Sequence, residues 1–210
     1  MKNIIYLLAL TISIGCSKED SNPETETPTA TEATDITNST FFANWNSATN
    51  ATEYELQTAT ESTFANPLIQ SNLGASTSVT QLNSNTQYFY RVRATNLNQN
   101  PSGYSNTISV ITLPDAPVAT TGTNITQSGF QANWNAVAGV TDYTLYVSKN
   151  NFTSDPPVYI PGYDGINVSG SSHTVTGLEG LKIYYYRLES KVDNRVSETS
   201  NSILVETIKQ

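Results

Sequence analysis

The sequence predicts an all-β chain of two successive two-sheet sandwiches, about seven strands each, and three observations carry that reading. An internal repeat runs through most of the chain, with its landmarks in the same order in both copies. Within each copy, apolar and polar side chains alternate over short runs, the two-residue period of a half-buried strand. Turn formers such as Asn83-Ser84-Asn85, Asn98-Gln99-Asn100-Pro101 and Gly122-Thr123-Asn124 break up these runs, and no window longer than about ten residues carries a helical stripe.

The chain opens on Met1-Lys2-Asn3, a short positive start, and an apolar run from Ile4 to Ile14 interrupted by Thr11 and Ser13. That run is too short for a bilayer span of roughly 20 residues, so residues 1–15 read as an export leader. Ser13-Ile14-Gly15-Cys16 resembles the lipobox of bacterial lipoproteins, with Ser13 where Leu is common. The resemblance implies that Cys16, the single Cys of the chain, becomes the lipidated first residue of the mature protein. Two or three acyl chains give firm anchoring where one is marginal, and the implied location is the cell envelope, at the outer membrane and exposed on the surface. Ser17-Lys18-Glu19-Asp20 is similar to the acidic stretch after the Cys in surface-exposed lipoproteins of gut and environmental Bacteroidota. Residues 16–30 are nearly free of large apolar side chains and read as a flexible acidic Ser/Thr/Pro tether, unable to bury enough to offset its ordering entropy.

The repeat follows. Trp45 and Trp134 lie 89 residues apart, and the same spacing pairs Ile36 with Ile125, Phe41 with Phe130, Tyr54 with Tyr143 and Leu56 with Leu145. Val79-Thr80-Gln81-Leu82 answers Val175-Thr176-Gly177-Leu178, and Tyr88-Phe89-Tyr90-Arg91-Val92 answers Tyr184-Tyr185-Tyr186-Arg187-Leu188, now at a spacing of 96. Ser105-Asn106 answers Ser200-Asn201 at 95. The second copy therefore carries about seven extra residues, assigned to Asn151–Gly165. Alternation places Phe41, Ala43 and Trp45 on one face of a strand, Tyr54 and Leu56 on the next, and Tyr88, Tyr90 and Val92 on a third, with Arg91 and Arg93 opposite. Tyr143 and Leu145, then Tyr184, Tyr186 and Leu188, repeat the arrangement, with Arg187 and Glu189 outward.

These landmarks resemble the fibronectin type III family, an immunoglobulin-like sandwich of seven strands, over residues 31–112 and again over 115–208. The resemblance implies a core built on Trp45, Tyr54, Leu82, Tyr88 and Tyr90 in the first module and on Trp134, Tyr143, Leu178, Tyr184 and Tyr186 in the second. The family's Leu-x-Pro-x-Thr-x-Tyr run reads Leu82-Asn83-Ser84-Asn85-Thr86-Gln87-Tyr88 here, and Leu178-Glu179-Gly180-Leu181-Lys182-Ile183-Tyr184 in the second copy. Tyr88 and Tyr184 are then expected to hydrogen-bond back to the preceding turn. Pro114-Asp115-Ala116-Pro117 is a short joint between the modules.

Composition excludes several chemistries. With 10 Lys plus Arg against 18 Asp plus Glu, a net charge of −8, no nucleic-acid partner is expected. One Cys and one His exclude a disulfide framework and multi-His or Cys-rich metal sites; no metal, cofactor or catalytic residue is expected. His173 has no nucleophile motif around it and is placed on the Val175 side of its strand or at its edge. Glu53 and Glu55 share an outward face, where Arg91 and Arg93 are their expected cross-strand neighbours. Five Asn-x-Ser/Thr sequons, at Asn38, Asn50, Asn124, Asn151 and Asn167, follow from an Asn- and Thr-rich composition. The candidate ligand contacts are Phe152, Tyr159 and Tyr163 in the Pro-containing insertion. There they stack on a sugar ring, anchor a peptide, or simply cap the sandwich side. The expected function is a non-catalytic, membrane-anchored surface lipoprotein serving as a spacer or as a protein- or glycan-contacting module. The alternative is a carbohydrate-binding accessory lipoprotein of a polysaccharide-uptake system. The partners are thus a lipid bilayer and a surface protein or polysaccharide, with the oligomeric state left open.

Overall fold

The computed structural model describes residues 24–97, 100–154 and 156–209; the leader and Cys16 lie outside them. The first half holds strands β1 (Thr29–Thr34), β2 (Phe41–Asn46), β3 (Glu53–Ala59), β4 (Leu68–Leu73), β5 (Ser76–Val79), β6 (Gln87–Thr95) and β7 (Ile108–Ile111). The second half holds β8 (Val118–Thr123), β9 (Gly129–Asn135), β10 (Asp142–Ser148), β11 (Tyr159–Ser169), β12 (Ser172–Thr176), β13 (Ile183–Val192), β14 (Arg195–Val196) and β15 (Ile203–Glu206). A β1-β2-β5 sheet packs on a β4-β3-β6-β7 sheet, and β8-β9-β12 repeats the first order. The remaining sheet runs β11-β10-β13, and both β14 and β15 pair with β13. The second half thus has one segment more than the seven expected, because its last strand is split: β14 pairs with the end of β13 and β15 with its start.

Alternation builds two separate interiors. Phe41, Ala43, Trp45, Leu56, Tyr90 and Val92 belong to one buried cluster; Phe130, Ala132, Trp134, Leu145, Tyr186 and Leu188 belong to another. The two clusters share no residue. Trp45 lies 5.6 Å from Tyr54 and Trp134 lies 5.5 Å from Tyr143, ring to ring. Burying each such side chain contributes about 1.5–3 kcal/mol. Leu178 is buried, whereas Leu82 is only partly buried and packs at the rim of its cluster. The corner tyrosines bond back as their position implies: Tyr88 Oη accepts from the Asn83 N–H at 2.9 Å, and Tyr184 Oη accepts from the Glu179 N–H at 3.0 Å.

The recurring Ser-Asn pair has a structural explanation. Where the last strand parts from its neighbour, Ser105 Oγ accepts from the Val92 N–H and Ser200 Oγ from the Leu188 N–H. Asn106 then clamps both backbone groups of Ala30, and Asn201 clamps those of Ala119. The side chains thereby satisfy ladder groups that no strand covers.

Two expectations need correction. The tether is expected over 16–30, of which 16–23 lie outside the described residues; within 24–30, β1 opens at Thr29 and Glu24 and Glu26 are already fastened. The Glu26 N–H donates to the Thr49 carbonyl at 3.2 Å, and Asn50 Nδ2 donates to the Glu24 carbonyl at 3.2 Å. Backbone bonding needs no apolar side chain, so composition gave no sign of it. The insertion, read as a Pro-containing loop, is strand from Tyr159 onward. Four of its extra residues are absorbed in bulges: three steps along β10, from Leu145 to Ser148, face seven along β11, from Ile166 to Tyr159.

Candidate functional site: an aromatic face on the second sandwich

On the sheet that contains β10 and β13, burial of Leu145, Val147, Tyr186 and Leu188 turns their neighbours outward. Tyr146 stands directly opposite Arg187, and Thr144 opposite Glu189. Phe152 comes from the β10–β11 turn, where it adopts a φ of 53°. Tyr159 opens β11 opposite Ser148. The rings of Tyr146 and Tyr159 lie 5.8 Å apart and those of Phe152 and Tyr159 lie 6.2 Å apart. The Arg187 guanidinium carbon lies 4.2 Å from the Phe152 ring centre and 5.8 Å from that of Tyr146.

The turn that presents Phe152 is internally bonded. Ser148 Oγ donates to the Val158 carbonyl at 2.8 Å, and the Phe152 N–H donates to the Asn150 carbonyl at 2.7 Å. Tyr146 Oη donates to Glu189 Oε2 at 2.9 Å. Burial of this phenol, with the Glu189 carboxylate accepting its hydrogen, pushes its pKa up to about 12. At neutral pH the hydroxyl is therefore a donor held on the carboxylate.

The first sandwich carries the equivalent place in a closed form. Arg91 lies between Phe64 and Tyr104, 4.2 and 4.1 Å from their ring centres. Gln57 Oε1 accepts from both Nε and Nη2 of Arg91, at 3.0 and 2.8 Å. Beside it Arg93 pairs with Glu55 at 2.8 Å, and Tyr104 Oη donates to the other Glu55 oxygen at 2.9 Å. Burial pushes the Glu55 carboxyl up, but these two bonds outweigh it and leave its pKa below the ordinary value.

Phe64 has the same φ of 53° as Phe152 and the same cationic partner. Phe152 is thus the second copy of a shared feature, and the residues peculiar to the second sandwich begin after it. The three candidate contacts are also not together. Phe152 and Tyr159 join the outer cluster, whereas Tyr163 accepts from the Thr176 N–H at 2.9 Å and sets its ring 6.4 Å from His173. His173 is half-buried there, opposite Ala132, and burial lowers its pKa. Tyr146, Arg187 and Glu189 were not among the sequence candidates. The signal for Arg187 and Glu189 was their outward place beside Tyr186 and Leu188, and for Tyr146 its outward place between Leu145 and Val147. Among the described residues, no group of three or more His, Cys, Asp or Glu side chains converges.

No family model matches the chain, and no curated protein does. Among solved structures, it is similar to a two fibronectin type-III domain segment from chicken tenascin. The TM-score is 0.51 at 18% identity, over 87% of this chain and 100% of that one. The fold is that of tandem fibronectin type III sandwiches. At this level of identity the likeness speaks for the fold alone. In fibronectin type III terms, the aromatic cluster occupies the outer face of the larger sheet of the second module, with its apolar side sealed against the core.

Proposed function

We propose that the chain is a non-catalytic, lipid-anchored protein of the cell envelope whose two fibronectin type III modules form an arm that contacts surface protein or glycan. The observation that supports this most is the outer face of the second module, where Tyr146, Phe152, Tyr159 and Arg187 cluster on a sheet whose other side is core. Such an arrangement is suited to contact and offers no nucleophile with its base. The anchoring half of the reading rests on the apolar leader and on Cys16. Its test is metabolic labelling with a fatty acid and fractionation of the envelope. Wild type is expected to carry label and sediment with membranes, and Cys16→Ser to lose both. Label retained in the variant overturns the anchor.

The alternative, a carbohydrate-binding accessory lipoprotein, is favoured by the half-buried Tyr159 ring and its two aromatic neighbours, since aromatic faces stack on sugar rings. A glycan-retardation assay comparing wild type with Tyr159→Ala separates it from a spacer: a spacer shows no retardation in either.

A further inference from the structure

The two modules present the same arginine position in two states. In the first module the guanidinium of Arg91 is covered on both faces, by Phe64 and Tyr104, and its Nε and Nη2 share the amide oxygen of Gln57. In the second module each of these partners but one has changed. Phe152 still backs Arg187 at 4.2 Å. The place of Gln57 is taken by Tyr146, whose hydroxyl is committed to Glu189. The place of Tyr104, one residue before the repeated Ser-Asn pair, is taken by the exposed Thr199. Arg187 Nε, like Arg93 Nε in the first module, is buried with no hydrogen-bond partner among the described residues, but Arg187 also lacks the glutamine acceptor that Arg91 has and the carboxylate that Arg93 has. A desolvated cationic donor without an acceptor is costly, and here the missing groups are the acceptor and cover that the sister module supplies internally.

From this comparison we infer that Arg187 is the anion-binding centre of a site for acidic sugars, with the carboxylate of a uronic acid residue as its ligand group. This rests on the glycan-contacting reading above. A planar guanidinium matches a carboxylate with two parallel bonds, and the ring of Phe152 holds its back face. Tyr146 and Tyr159, 5.8 Å apart, offer the adjoining platform for a pyranose ring. The Glu189 carboxylate, opposite Thr144 and bonded by Tyr146, is an acceptor for sugar hydroxyls. A uronic acid presents hydroxyl donors to it from the same ring that carries the carboxylate, whereas acidic side chains bear no donor of their own, which weighs toward the sugar acid.

The test is calorimetric titration of the whole soluble protein, with Cys16→Ser to keep it off membranes, using a galacturonate trisaccharide as the probe. A neutral galactose trisaccharide and a hexaglutamate peptide are run beside it. The uronate is expected to bind and to weaken as salt is raised. Arg187→Gln is expected to weaken it roughly tenfold or more, and Arg91→Gln to leave it unchanged. Thr199→Tyr restores the cover seen in the first module and is expected to block binding while the thermal unfolding temperature holds, so the outcome does not depend on how well Arg187→Gln folds. Uronate binding that survives both second-module variants overturns the inference, as does absence of uronate binding, or tighter binding of the peptide. Neutral-sugar binding that Tyr159→Ala abolishes and Arg187→Gln spares overturns the acidic specificity while leaving the glycan-contacting reading standing. Failure of every glycan overturns both.

Discussion

Tyr146 shows how neighbours set the chemistry of a single residue. It stands where the first module has Gln57, and its burial and its bond to Glu189 push its pKa to about 12. A tyrosine raised in the folded state holds its proton longer there than in the unfolded chain, where it ionises near pH ~10. The stability it lends is therefore complete below that unfolded value and is lost as pH climbs through about 12. Spectrophotometric titration of phenolate absorbance is expected to reveal a late-ionising tyrosine that Tyr146→Phe removes. The same variant should flatten the alkaline fall in stability, and an unchanged alkaline curve would count against the assignment. Alternation made the outward place of Arg187 legible in advance. The equivalence of Phe152 with Phe64 was not legible, because it lies in a shared backbone conformation, φ 53° at both. Phenylalanine has no preference for that region that a sequence pattern could reveal. The same holds for Leu181, at φ 56°, whereas its counterpart Asn85, at φ 46°, is a residue type that favours this region.

Strand identity was the most readable level, since each half-buried strand writes its own two-residue period. Strand length was not: β11 extends back to Tyr159 through Pro161, Gly162 and Gly165, residues that sequence rules assign to loops. Bulges accommodate them at an edge where few ladder bonds are required of them. Two predictions belong here. Asn201→Ala removes the clamp on both backbone groups of Ala119 and is expected to cost about 1–3 kcal/mol in urea unfolding, with early hydrogen exchange along β8. Protection of β8 equal to wild type would show that the clamp is dispensable. Gly129 sits on β9 where an added Cβ would come within 2.3 Å of the Val175 carbonyl oxygen. Gly129→Ala is therefore expected to force β9 and β12 apart and to destabilise the second module by about 1–3 kcal/mol, seen as a lowered calorimetric transition for one module only.

At the scale of the molecule, two interiors with no residue in common predict two modules that unfold independently. What joins them is polar and small. Asp115 accepts from Asn38 Nδ2 at 2.9 Å and from Ser84 Oγ at 2.8 Å, fixing the joint to the first module. Arg195 of the β13–β14 hairpin donates to Asn85 Oδ1 at 2.9 Å and to the Thr112 carbonyl at 3.4 Å. Arg195→Ala is expected to broaden the distribution of dimensions in small-angle scattering while both calorimetric transitions keep their temperatures; an unaltered scattering curve would assign the joint to Asp115 alone. The repeat, and hence the two-part plan, was evident from the sequence. The Pro114–Pro117 joint was evident as well, but the Arg195 contact across it was not, because its partners lie 110 residues apart and are polar residues that no periodicity marks. The fastening of Glu24 and Glu26 to the turn at Thr49 and Asn50 carries a geometric corollary. If Cys16 carries the proposed lipid, eight peptide steps lead from it to Glu24, a distance of at most roughly 30 Å. Were the proposed anchor in place, the first sandwich would be the module tethered nearest the bilayer, and the second would be linked to it only through the first.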